Sequence, residues 1–75
     1  IGLTVMSFSI GKIKAGDIVK VSSNAFNGKL GEMHNGRIVK VIEVSSGDVI
    51  VESVDNKNPV LMETYYPITV VEKVS

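Results

Sequence analysis

His34 is the one histidine of the chain, and it stands in "GEMHNG", two residues after Glu32. An imidazole can carry protons near neutrality when a nucleophile or an orienting carboxylate lies within hydrogen-bond reach. Glu32 is close in sequence but offers no recognisable triad, so His34 reads as a solvated turn residue. A second set of ionisable groups, Asp48, Glu52, Asp55 and Glu63, flanks a hairpin in the second half. Paired carboxylates can perform acid–base chemistry or hold calcium. The spacing here matches no calcium loop, and the four read as turn caps and exposed strand positions. With no cysteine and a single histidine, neither a thiolate site nor a multi-histidine metal cage can be assembled. The glycines of "NGKLGEMHNG" lack the phosphate-cradling pattern that precedes a helix. No catalytic residue, no cofactor and no metal is expected, and the chain reads as a non-enzyme.

Binding chemistry is what remains. Phe26, Tyr65 and Tyr66 are three of the four aromatic residues, and such rings stack on bases or on peptide segments. Tyr65 and Tyr66 are adjacent in an extended stretch, so their rings must point to opposite sides and only one can face a groove. Lys12, Lys14, Lys20, Lys29, Arg37 and Lys40 lie in the first half of the chain and most acids in the second. That asymmetry predicts one basic side able to meet an acidic partner. The net charge is zero, whereas a phosphate-binding domain normally carries a basic excess. Absence of cysteine fits a reducing, cytoplasmic setting. No apolar run is long enough to span a bilayer.

The elements that must position these groups are strands. The chain has 75 residues, enough for one small domain that buries only about 60% of its unfolded surface. Residues 1–14 read as an apolar arm or an extra strand, without the basic region and cleavage site of a secretion signal. Residues 15–75 read as the folded domain. Valine and isoleucine dominate, and no helical stripe is present. "DIVKV" alternates as a half-buried strand. Residues 22–36 are polar and rich in Gly and Asn, and read as a long binding loop pinned to the core by Phe26, Leu30 and Met33. "GRIVKVIEV" is the longest strand, but its apolar phase slips after Val41, which demands a bulge. "SSGD" turns the chain back into "VIVESV", and "VLMET" reads as a fourth strand. Pro67 and its two successors suit a single 3₁₀ turn before a closing strand over 70–74. The expected core is Val19, Val21, Ile38, Val39, Val41, Val49, Val51, Leu61, Ile68, Val71 and Val74.

"GDIVKV", "NGRIV", "VIVES" and "YPITVVEKV", taken in that order over 15–74, resemble the SH3-like barrel superfamily. That resemblance implies an all-β, five-stranded SH3-like barrel with a 3₁₀ turn before the last strand. The superfamily includes accessory subunits of photosynthetic electron transport and the type II dihydrofolate reductases. Accessory subunits dock through loops and barrel edges, which implies a binding or assembly module that meets a protein partner or itself. The residues implied are Phe26, Lys29, His34, Arg37, Tyr65 and Tyr66. An alternative is a nucleic-acid-binding barrel of the KOW type, using Lys12, Lys14, Lys20, Lys29 and Arg37 on phosphates. A third is the reductase itself, but Thr64 stands where that family has the amide that contacts pterin and nicotinamide. Ser22 stands at its lysine position, and only Tyr66 is retained.

Overall fold

The computed structural model describes residues 13–74. The expected arm over 1–14 therefore lies outside the described residues, apart from Ile13 and Lys14. Among the described residues five strands form one antiparallel sheet: β1 (Ile18–Val21), β2 (Ile38–Ser45), β3 (Asp48–Ser53), β4 (Thr64–Pro67) and β5 (Val71–Lys73). Their spatial order is β4-β3-β2-β1-β5. A 3₁₀ turn, Ile68–Val70, separates β4 from β5. This is the small all-β arrangement that the valine pattern predicts.

The phase slip in β2 has the expected resolution. Val41 faces Val51, but Glu43 faces Ile50, so Ile42 is an extra residue without a partner. The inserted residue shifts the register so that Val44 faces Val49, although Val44 itself stays 40% exposed. Only the first half of β2 lines the core, through Val39 and Val41; past the bulge the strand is exposed throughout. Gly47, in the turn from β2 to β3, has φ 82°. A side chain there would be strained, which is why glycine marks this hairpin.

The core is built mostly of valine. Val19, Val21, Val39, Val41, Val49, Val51 and Val71 are buried, together with Ile13 and Tyr66. They meet across strands as Val19–Val39, Val41–Val51, Val21–Val71 and Val49–Tyr66. Leu61, Ile68, Val70, Ala25 and Phe26 close the ends. Val74 departs from expectation and is 51% exposed. Val71 points inward, so alternation turns Glu72 and Val74 outward.

Two segments also differ from expectation. The polar loop contains a short helix, α1 (Gly28–His34), and its Leu30 and Met33 are exposed instead of pinned to the core. The fourth strand starts at Thr64 rather than Val60. Residues 54–63 form an irregular segment that is ordered by side chains and not by a ladder. No helix among the described residues is long and apolar enough to cross a membrane.

Candidate functional site

The irregular segment is held by Arg37, which enters β2 from the end of α1. Its guanidinium is 0% exposed. Nη2 donates to Asp55 Oδ1 at 2.8 Å, to the Lys57 carbonyl at 3.0 Å and to Ser53 Oγ at 3.1 Å. Nη1 donates to the Pro59 carbonyl at 2.7 Å, and Nε to Asp55 Oδ2 at 3.4 Å. Ser53 Oγ also accepts from the Leu61 N–H. Burying a charge is costly unless it is paired and its protons are all used, and this fork of donors meets acceptors on three sides. The hydrogen bond from Arg37 holds the Asp55 carboxyl below its ordinary range, with help from the N–H groups of Ile38 and Lys57, while burial opposes the shift. Arg37, expected at a partner surface, is buried, and its charge is spent inside the domain on the chain's own loop.

α1 supports itself poorly. It has seven residues, two of them glycine, with no acid in its first turn and no side-chain bond at its N-cap. Contacts near its C-terminus tie it down. The Asn35 side chain accepts from the Phe26 N–H at 3.0 Å and donates to the Phe26 carbonyl at 2.9 Å, closing the loop like a strand pair. His34 Nδ1 lies 2.7 Å from the Tyr66 hydroxyl. The solvated, partnerless His34 expected from sequence is thus corrected as well. Its partner lies far along the chain and the fold brings it in.

Gly31 is required by the first of these contacts. A Cβ there would come within 2.5 Å of the Phe26 carbonyl oxygen and 2.8 Å of Asn35 Nδ2. Alanine favours a helix over glycine by about 1 kcal/mol, yet Gly31→Ala should destabilise the domain by about 1–3 kcal/mol through overpacking. Urea unfolding checks the sign, and a stabilised variant would refute the clamp.

Phe26, His34 and Tyr66 form a three-ring cluster with centroid separations of 5.4–6.0 Å. Burial pushes the Tyr66 phenol above its ordinary range and keeps it protonated. Burial, then the charges of Arg37 and Lys57, hold the His34 imidazole below 6.5. Tyr65 and Tyr66 point to opposite sides as expected, at 65% and 1% exposure. Of the six residues expected at the site, the fold gathers Phe26, His34 and Tyr66. Arg37 is buried beside them, Lys29 is exposed on α1, and Tyr65 stands on the outer face of β4 opposite Ile50.

The sheet also rearranges the charges. Lys20 faces Glu72 and Lys40 faces Glu52 across neighbouring strands, and Lys73 Nζ lies 3.7 Å from Asp17. Acids from the second half of the sequence stand beside lysines from the first, so the expected basic side is not formed by β1 and β2. An open groove of 310 Å³ between β1, the 3₁₀ turn and β5 is lined by Lys20, Ser22, Ser23, Thr69, Val70, Val71 and Glu72. Phe26, Lys29, His34, Arg37, Tyr65 and Tyr66 do not reach it, although Ser22 and Ser23 of the expected binding loop and Lys20 of the nucleic-acid alternative do. Among the described residues no three His, Asp or Glu side chains gather to hold a metal ion.

Exposed apolar side chains lie both on the sheet, at Ile42, Val44 and Tyr65 with Val74 just past β5, and off it. Leu30 and Met33 on α1, and Val54, Val60 and Met62 on the Arg37-bound segment, are all exposed, Met62 by 81%. The sequence hinted at this only through Val60 and Met62, which read as strand residues until their ladder partners proved absent. The chain matches no family model, no characterised protein and no solved structure.

Proposed function

We propose that this chain is a non-catalytic protein-binding module of the SH3-like barrel kind, working through the surface formed by α1 and residues 54–63. One observation carries the reading. The 54–63 segment places only Leu61 against the core and turns Val54, Val60 and Met62 outward, yet a fully buried arginine holds it in a single shape. A loop that contributes little to the core but is ordered at the cost of burying a charge is a preorganised surface. Methionines at such a surface adapt to a partner's shape. His34, Phe26 and the Tyr66 ring support α1 from beneath, and Lys29 and Lys57 lie exposed on the same two segments. Lys20 and Lys40 each face a glutamate across the sheet, which weakens a phosphate-binding reading.

The test is a double substitution, Val60→Asp with Met62→Asp. Both side chains are exposed, so stability should change by no more than about 0.5 kcal/mol each. Recovery of a cross-linked protein partner, or of a second copy in sedimentation velocity, should fall about tenfold or more. Lys20→Glu with Lys40→Glu, on the outer sheet face, should leave it unchanged. Equal recovery with the first variant overturns the proposal, as does tight oligonucleotide binding with a steep salt dependence.

A further inference from the structure

We propose that His34 and Tyr66 form an acid-released latch that holds α1 against the sheet and lets it go when His34 takes up a proton. The latch deepens the reading above, because Leu30 and Met33 of α1 belong to the proposed surface. Its own mechanism needs no partner.

Isolated helices shorter than about 12–15 residues are marginal in water. α1 has seven, with no buried residue of its own. Near its C-terminal end it is tied to the domain by Asn35 with Phe26, by the Gly36 N–H donating to the Val21 carbonyl at 2.9 Å, by Lys57 Nζ with the Asn35 carbonyl at 3.5 Å, and by His34 with Tyr66. Only the last contains a group that titrates near neutrality.

The geometry makes this bond sensitive to a proton. The Tyr66 hydroxyl is buried and has no other partner among the described residues, so the tautomer that leaves no buried donor unpaired has the hydroxyl donating to Nδ1 of a neutral His34 across 2.7 Å. A proton on Nδ1 sets two donors against each other. The hydroxyl must then rotate, and among the described residues His34 is its one hydrogen-bond partner. A buried donor left without an acceptor disfavours the closed arrangement. The surrounding charges act the same way. Arg37 from the start of β2 and Lys57 from the 54–63 segment oppose a positive ring. Asp55, the acid on that segment, is engaged by Arg37. Glu32 and Lys29, on α1 itself, are exposed to solvent. The imidazole titrates below 6.5 in the folded chain. The latch is therefore complete above 6.5, and is lost as the pH falls from there through the lower folded value.

With one histidine in the chain, the ring signals of His34 are unambiguous by NMR. The full chain is titrated from about pH 8 to about pH 5, following those signals together with amide-exchange protection. The His34 midpoint should fall below 6.5. Protection of the α1 amides should drop about tenfold or more across that midpoint, while the amides of Val19, Val41 and Val51 keep theirs. His34→Gln keeps an acceptor but cannot titrate, and Tyr66→Phe removes the donor; each should abolish the step. A midpoint at or above 6.5, a helix whose protection ignores pH, or strands that open together with the helix would each overturn the latch. Failure to find a binding partner would not touch this result, and a failed latch would leave the binding reading standing.

Discussion

Arg37→Ala should lower the stability of the domain by about 3–5 kcal/mol, the cost of leaving a buried ion pair and its acceptors without one partner. A chain of 75 residues has only about 4–11 kcal/mol in hand, so the variant is expected at the edge of unfolding. The loss has several parts. Asp55, partly open to solvent, recovers some hydration, whereas Ser53 Oγ and the Lys57 and Pro59 carbonyls lose a charged donor. Asp55→Asn keeps the shape but removes the charge, and should cost less, about 1.5–3 kcal/mol. Because the two side chains touch, the double variant should fall short of the sum by about 0.5–3 kcal/mol. Acid adds an independent check. The Asp55 carboxyl is held below 3.8 in the folded chain, so its contribution is present above that pH and disappears as the pH falls through the depressed value. Asp55→Asn should flatten this acid limb. Urea unfolding of the four proteins settles the matter, and a loss under about 1 kcal/mol for Arg37→Ala would show that the 54–63 segment is held by something else.

Tyr66→Ala and Tyr65→Ala should behave as opposites, although the residues are neighbours. Tyr66 fills the space against Val49, Phe26 and His34. Its removal leaves a ring-sized cavity and strands His34, with an expected cost of about 3–5 kcal/mol. Tyr65 stands outside against Ile50, and its removal should change stability by no more than about 0.5 kcal/mol. Thermal unfolding followed by circular dichroism separates them, with Tyr66→Ala melting well below the parent and Tyr65→Ala close to it. The reverse order, with Tyr65→Ala the costly change, would mean that the register of β4 against β3 is wrong by one residue, because a single slip exchanges the two faces.

Much of the sheet was legible because its rules are local. Alternating valines mark β1 and β3, and Gly47 marks the hairpin between β2 and β3. Within "GRIVKVIEV" the clash of two apolar phases called for a bulge, and the unpaired Ile42 is that bulge. Where two weak signals competed, the reading failed. "VLMET" carries strand residues, but Val60 and Met62 end in a segment whose carbonyls turn to Arg37 instead of to a neighbouring strand. "GKLGEMH" carries two glycines and no cap, and only the contacts to Phe26 and Tyr66 explain its helix.

By itself the chain determined the hairpin of β2 and β3, where it turns, and that two adjacent tyrosines part to opposite sides, because pleat and φ are properties of a few consecutive residues. Tertiary structure alone decided that a charged Arg37 goes inside and that His34 has a partner. Those outcomes depend on whether acceptors and donors 16 to 32 residues away converge on one point. No short pattern encodes that convergence, and the free energy of a buried charge or proton changes sign with it.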